Sequence, residues 1–290
     1  MKEIKIIKID DNGYPENLLQ LKNPPKQLYV LGDESLLKKK SIAIIGSRDC
    51  TEYGYRQAIK FSKELSKNDI CIVSGMAIGI DSAAHIGAKD EIGKTIAVLG
   101  SGLNDIYPRE NKELFYDILN KGGCIISEYA PNIKHDSKYF PERNRIVSAL
   151  SKGVLVVEAR HRSGTSITVR CAKELGKQIY CIPTNLEETT GVGTGRLIQS
   201  GAKLVLTPED ILLDFGFKNQ DNNECLDEIE IEIDEEYKPV YNVLTRIPIN
   251  INDIVKKSGK SMVEVNAIIT MLELQGHVKQ TGVGEFSKIK

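Results

Sequence analysis

Between residues 42 and 206 the chain alternates short apolar, β-branched runs with amphipathic stretches of helical period, a rhythm that few folds admit. Strand-length runs fall at 42–46, 70–74, 95–100, 124–127, 154–159, 178–183 and 203–206, and helical patterns at about 53–66, 81–91, 111–121, 141–151 and 166–176. Strict alternation of this kind predicts an α/β, doubly wound parallel sheet with helices on both faces. The run Gly153-Val154-Leu155-Val156-Val157-Glu158-Ala159 reads as a strand buried on both sides. In such sheets ligands bind outside the carboxyl ends of the strands, near the point where strand order reverses.

The unusual turns fall on that edge. Strand one ends in Gly46-Ser47-Arg48, strand two in Gly75-Met76-Ala77-Ile78-Gly79-Ile80-Asp81 and strand three in Gly100-Ser101-Gly102-Leu103. Strand five leads into Ser163-Gly164-Thr165, where helical periodicity resumes. Parallel strands present such turns side by side, so the glycines line one groove that backbone and ligand can approach closely. A strand, a small-residue turn and a helix start also bring free N–H groups and a positive helix end to one point, which suits a phosphate. The plainer reading of the last turn is that Ser163 caps the helix and Gly164 permits the bend.

The usual phosphate cofactors do not fit. Gly-x-Gly-x-x-Gly is missing after strand one, strand two ends in Ser74 rather than an acid, and no Gly-Lys-Ser/Thr follows a strand. We therefore expect no cofactor, no metal and no catalytic residue. Asp81 and His85 share a helix face, but Asp81 suits a helix N-cap and His85 sits among alanines. Glu128 and Glu158 each end a strand and either reach the groove or receive Arg48 or Arg143.

The stretch 138–168 is the least generic part of the chain. Pro141 suits the first turn of a helix, and Arg143 and Arg145 then lie near its N-terminus. A cation there is disfavoured by roughly 0.3–1 kcal/mol unless an anion is near. The two side chains point to different sides, so at most one faces a ligand and the other meets an internal acid.

A chain of 290 residues, 41% apolar and 27% charged, has room for one large domain and a small one. No apolar run reaches a membrane span of roughly 18 residues and the start shows no signal-peptide pattern, so we expect a cytoplasmic protein without a membrane partner. The six cysteines lack metal-ligand spacing and read as reduced core residues. Segment 217–237 holds nine acids and one base, leaving the rest of the chain at +7. It reads as an acidic linker, with residues 1–35 an extension packed on the main domain 36–216.

From 238 to 290 the order helix, short extended piece, helix, turn, helix and hairpin predicts a winged helix. Its second helix offers Glu264, Asn266, Thr270 and Glu273 outward and no arginine or lysine, which is unsuited to reading a major groove.

In these motifs the chain resembles the DNA-processing protein A family, DprA, also called Smf. The matching pieces include Gly46-Ser47-Arg48, Ser74-Gly75-Met76-Ala77-x-Gly79-Ile80-Asp81, Gly100-Ser101-Gly102-Leu103 with Tyr107-Pro108 and Asn111, and Ser127-Glu128. Phe140-Pro141-x-Arg143-Asn144-Arg145, Val156-Val157-Glu158-Ala159, Ser163-Gly164 with Ile167-Thr168, and Leu197-Ile198 with Gly201-Ala202 complete them. The likeness covers roughly residues 10 to 215. Thr184 stands where the family has glycine after the proline, and Gly195 where it has asparagine before the Leu-Ile pair.

The resemblance implies an extended Rossmann-type domain that binds single-stranded DNA, forms a homodimer and helps load RecA recombinase during natural transformation. It implies a basic pocket around the Gly-Ser-Arg turn and the region from Lys138 through Phe140 to Arg143 and Asn144, with Phe140 offering a base-stacking face. Two other readings compete. A nucleoside-monophosphate phosphoribohydrolase of the cytokinin-activating type shares this Rossmann variant, but needs Pro-Gly-Gly-x-Gly-Thr and a glutamate on the next helix. Here that stretch reads Arg162-Ser163-Gly164-Thr165-Ser166-Ile167-Thr168-Val169-Arg170. A winged-helix transcription regulator is disfavoured by the composition of the second helix.

Overall fold

The structure is a computed structural model describing residues 3–160, 164–185, 187–217, 233–245 and 247–289. Two compact units emerge, Met1–Asn219 and Gln220–Lys290. The first is built on β1 (Lys5–Lys8), β2 (Gln27–Gly32), β3 (Ser41–Ile45), α1 (Glu52–Lys67), β4 (Cys71–Ser74), α2 (Ile80–Ala88), β5 (Thr95–Leu99), α3 (Lys112–Asn120) and β6 (Cys124–Ser127). It continues through α4 (Tyr139–Leu150), β7 (Gly153–Val156), α5 (Thr165–Glu174), β8 (Gln178–Cys181), α6 (Gly191–Gln199), β9 (Lys203–Leu204) and α7 (Glu209–Asp214).

Strand order in the sheet is β1-β2-β6-β5-β4-β3-β7-β8-β9. From β6 to β9 every neighbouring pair is parallel. The chain steps outward from β3 through β4 and β5 to β6, then returns to β7 on the other side of β3. The reversal of strand order therefore lies between β3 and β7. At the opposite edge the sheet departs from the parallel expectation, because β1 pairs antiparallel with β2 and β2 with β6. No crossover helix joins these two strands, so they can meet antiparallel.

Alternate residues of the central strands feed two cores. Ala43, Ile45, Val73, Val98, Val154 and Val156 pack with Ile146, Val147 and Leu150 of α4 and Val169 of α5. Ile42, Ile44, Ile72, Leu155 and Val157 pack with Ala58, Phe61 and Leu65 of α1 and Ala83 and Ala84 of α2. Burial on both faces explains why these strands read as continuous apolar runs. Cys71, Cys124 and Cys181 are buried cysteines outside any disulfide among the described residues, and Cys50 and Cys171 are half-buried ones, whereas Cys225 lies outside the described residues. Most of the acidic segment lies outside them as well.

Helix α6 is absent from the periodic pattern, since Gly191, Gly193 and Gly195 depress helix propensity. Packing supplies what propensity lacks. A Cβ on Gly193 would stand 2.2 Å from the carbonyl oxygen of Ala159, so glycine lets the helix press against the chain leaving β7. Leu197 and Ile198 add apolar contact with the core.

The second unit comprises α8 (Lys238–Tyr241), β10 (Ile249–Asn250), α9 (Ile251–Ser258), α10 (Met262–Leu274), β11 (Val278–Gly282) and β12 (Glu285–Lys288). Its strands run β10-β12-β11, so the hairpin closes on the short extended piece before α9. Gly259 ends α9 in the left-handed conformation, the turn a helix-turn-helix needs. Ser261 opens α10 with a reciprocal capping box to Glu264.

That box sets a stability expectation. Hydrogen bonds from the Ser261 hydroxyl and backbone N–H, with help from Lys260, hold the Glu264 carboxyl down at about 2. Its support of α10 is therefore complete above the ordinary value of 4.5 and is lost as pH falls through about 2. Ser261→Ala should cost about 1 kcal/mol in the intact chain. Hydrogen exchange at the Val265 and Ile268 amides should accelerate about fivefold at neutral pH. Unchanged protection would show that the cap does not limit this helix.

Candidate nucleic-acid interface

The carboxyl ends of β3, β4 and β5 converge with the first turn of α4 around a cleft of about 410 Å³. Arg48, Gly75, Ala77, Ile78, Gly100, Tyr107, Pro108, Arg109, Glu110, His135, Phe140 and Arg143 line it, three arginines to one carboxylate. Of the sequence-predicted residues, Arg48, Gly75, Ala77, Gly100, Phe140 and Arg143 thus meet in one place. Gly79 shapes the rim from below. Its φ is +80°, and a Cβ there would lie 2.5 Å from the carbonyl oxygen of Ser47. The β3 and β4 turns can therefore nest.

The charged floor differs from expectation. Arg143 is only 4% exposed, and its guanidinium donates to the carbonyls of Gly75 and Val98 and, through Nε, to Asn144 Oδ1 at 3.0 Å. Asp81 accepts the N–H groups of Gly75 and Ala77 at 3.2 and 3.3 Å. Burial raises the Asp81 carboxyl above its usual range, and the field of Arg143 works against that rise. Burial likewise lowers Arg143 to about 10, which leaves it cationic at neutral pH. Arg143 therefore holds the loops instead of presenting a free fork to a ligand. Arg145 grips Glu128 with both carboxylate oxygens, at 2.7 and 2.6 Å. Each arginine is thus committed inside the protein.

Several other expected ligands are likewise occupied. Met76 is fully buried among Ala97, Leu99 and Leu103. Ser101 donates its hydroxyl to the Asp105 carbonyl and Gly102 its N–H to the Ile133 carbonyl, which ties this turn to the loop after β6. The Ser47 hydroxyl turns back to Asp49, and Thr165 lies buried against the Gly46 carbonyl. Asn144 donates to the Gly164 carbonyl at 3.4 Å. Gly164 itself adopts right-handed helical φ and ψ with open space at its Cβ position, so neither φ nor crowding requires glycine there. Ser163 lies outside the described residues.

Glu158 meets neither Arg48 nor Arg143. It is 1% exposed and accepts both the N–H and the hydroxyl of Thr51, the N-cap of α1. A carboxylate thus fills the α1 N-terminus, the place beside the strand-order reversal where a mononucleotide fold would seat phosphate. His85 packs as a core residue. Thr95 gives its proton to the Ile72 carbonyl, so the ring donates from Nδ1 to Thr95 Oγ1 at 2.7 Å. Burial, with Arg143 adding to it, pushes His85 down to about 3 and keeps it neutral.

What remains open to a ligand is a row of planar groups. His135 stacks on Tyr107 with centroids 3.9 Å apart and planes 15° apart, and Tyr107 stands 5.7 Å from Phe140. On the Phe140 side, the Arg48 guanidinium lies 5.5 Å from the ring centroid. Arg48 is exposed, and among the described residues no carboxylate reaches it. Asp105 accepts the His135 N–H and Nδ1, each at 2.7 Å, and so fixes the outer ring of the row. Lys138 is exposed at the start of α4, with Asp136 at 3.4 Å. Sequence reasoning placed neither Tyr107 nor His135 in the site; an aromatic beside a proline was the only local signal.

A second cavity of about 490 Å³ lies beside β8, lined by Tyr53, Glu158, Thr184, Asn185 and Glu188. Its two carboxylates make it unsuited to a phosphate. Thr184, one of the two departures from the family pattern, bonds Thr194 of α6 at 2.7 Å. In the second unit, α10 turns Val263 and Leu274 outward at 80% and 78% exposure, with no arginine or lysine on the helix.

Comparison with known proteins agrees with this architecture. The family of DNA recombination-mediator protein A matches residues 5–216, and the DprA winged helix domain matches residues 228–282. The DNA processing protein DprA of Streptococcus pneumoniae is 41% identical over 207 residues, 71% of this chain and 73% of that protein. Protein Smf of Escherichia coli is 36% identical over 282 residues, 94% of this chain and 74% of that protein. The crystal structure of S. pneumoniae DprA superposes with a TM-score of 0.70 at 39% identity, covering 74% of this chain and 76% of that one. A Helicobacter pylori DprA structure, described for its single-stranded DNA binding mode, gives 0.66 at 32% identity over 74% of this chain and 98% of that one. The expected α/β sheet and C-terminal winged helix are both borne out. This chain belongs to the DNA-processing protein A (DprA/Smf) family.

Proposed function

We propose that this protein binds single-stranded DNA in the cleft at the carboxyl edge of its sheet and, as a cytoplasmic recombination mediator, helps load RecA recombinase onto incoming strands during natural transformation. The observation that carries the reading is the row His135, Tyr107, Phe140 and Arg48, three rings followed by an exposed guanidinium that no carboxylate among the described residues reaches. Bases stack on such faces whatever their sequence, at roughly 1–3 kcal/mol each, while cations track the backbone. The single-stranded DNA described for the H. pylori relative supports the same substrate.

A phosphoribohydrolase reading finds no carboxylate where that chemistry needs one. Among the described residues α5 carries its one acid, Glu174, at the end away from the loop. Glu158 is engaged by Thr51. We infer that the protein catalyses no hydrolysis of nucleotides.

The finer site assignment is that Arg48 and Lys138 meet phosphate. Arg48→Ala and Lys138→Ala should each weaken binding across all sequences and lower the salt slope by roughly one ion. Thermal unfolding should barely move, because both side chains are exposed. An Arg48→Ala chain that melts early yet binds normally would assign Arg48 to the fold instead of the ligand.

Self-association is proposed for the β9 edge. Leu204 on β9 and Leu206 just beyond it are exposed, the latter at 65%, and an open apolar strand edge invites pairing with another chain. Leu206→Glu should shift a dimer to monomer in sedimentation at micromolar concentration. A monomeric parent chain, or a variant that stays dimeric, removes this edge as the interface.

A further inference from the structure

Consecutive residues of a helix diverge by about 100°, so the neighbours Tyr139 and Phe140 in the first turn of α4 present their rings to different surroundings. Phe140 enters the cleft. Tyr139 instead lies on Tyr129, with ring centroids 4.2 Å apart and planes inclined by 37°. Tyr129 follows β6 at the same sheet edge and is fixed from both ends. Its N–H donates to Ser127 Oγ at 3.0 Å and its hydroxyl to Glu142 at 2.7 Å. Burial and that carboxylate push its pKa far up, so the hydroxyl stays a donor at every pH of interest.

Tyr139 therefore has one face braced by a held ring. Over the ring lies the Lys138 ammonium, 4.9 Å from the centroid, and among the described residues no other cation does so. Lys138 is 62% exposed and is otherwise held by an exposed ion pair with Asp136, a contact of small energy. A base can displace that ammonium from the ring at little cost, and the ammonium is then free to meet the phosphate beside the base.

We propose that Tyr139, braced by Tyr129, is a second stacking platform that takes the nucleotide next to the one held at Phe140, with Lys138 moving from the ring to the intervening phosphate. The proposal rests on the single-strand reading above. It adds a residue pair outside the cleft and extends the contact beyond a single nucleotide.

The test uses the full-length chain and an oligothymidylate carrying 5-iododeoxyuridine at each position in turn. Irradiation should crosslink Tyr139 as well as rings of the cleft, and neighbouring substituted positions should select between them. Tyr139→Ala should weaken binding by about 5- to 100-fold. Tyr139→Phe should bind within about twofold of the parent, since only the ring face is used. If Tyr139→Ala fails to fold, the crosslink map of the unaltered chain decides alone. Normal binding with crosslinks confined to the cleft overturns the second platform and leaves the single-strand reading standing. No binding of the oligothymidylate by the unaltered chain overturns both.

Discussion

Two buried side chains, Asp81 and Arg143, hold the candidate site together. Asp81 stands in the first turn of α2 and Arg143 in α4, and between them they engage the N–H of Gly75, its carbonyl, the N–H of Ala77 and the carbonyl of Val98. Four backbone groups from the ends of β4 and β5 are thereby fixed to two helices on opposite faces of the sheet. Removing either side chain leaves buried backbone donors or acceptors unmatched, at a cost of roughly 1–3 kcal/mol each. The arginine also keeps its positive field under the cleft while its Nε and Nη1 donate to Asn144, Gly75 and Val98. One residue thus shapes the loop and biases the space above it toward anions.

A related economy governs the glycine turns. Their number suggests an open nest of N–H donors of the kind that cradles phosphate in nucleotide-binding folds. Yet the N–H groups of Gly75 and Ala77 go to Asp81, that of Gly102 to Ile133, and that of Thr51 to Glu158. The α1 N-terminus carries its own carboxylate. The described part of the edge therefore offers a ligand aromatic faces and exposed cations more than backbone donors. Such a surface suits a flexible strand with many bases better than a single nucleotide held by its phosphates.

The centre of the sheet was legible because β3 to β7 are buried on both faces, so apolar runs mark strands and alternation with helices dictates parallel pairing. Edge strands β1 and β2 were not, since antiparallel addition leaves no such rhythm. Turn positions were legible through glycine, but glycine marks where backbone approaches closely and does not say what approaches. At Gly75 the approaching groups are the protein's own Arg143 and Asp81. Arg143 looked like a ligand residue because sequence places it on a helix near an anion-suited terminus, while its partners come from strands tens of residues away. Tyr107 and His135 come from irregular loops, brought together by Asp105 across thirty residues, a pairing with no local pattern.

The winged helix obeys the same physics with a different outcome. Its second helix is apolar on the inner face, where Val265, Ile268, Ile269 and Leu272 build the small core, and it carries Val263, Met271 and Leu274 outward as well. Setting that outer face in a major groove would bring phosphate-lined walls against Val263, Met271, Leu274 and two glutamates, with only Asn266 and Thr270 able to bond a base and no side chain able to neutralise charge. Lysines of the module lie elsewhere: Lys238 is on α8, Lys256 and Lys257 end α9, Lys260 pairs with Glu264, and Lys279 and Lys288 lie on the hairpin. Backbone contact from those positions carries no sequence information. On the proposed single-strand reading, selectivity belongs to the first unit, where stacking favours unpaired bases because only they expose their faces.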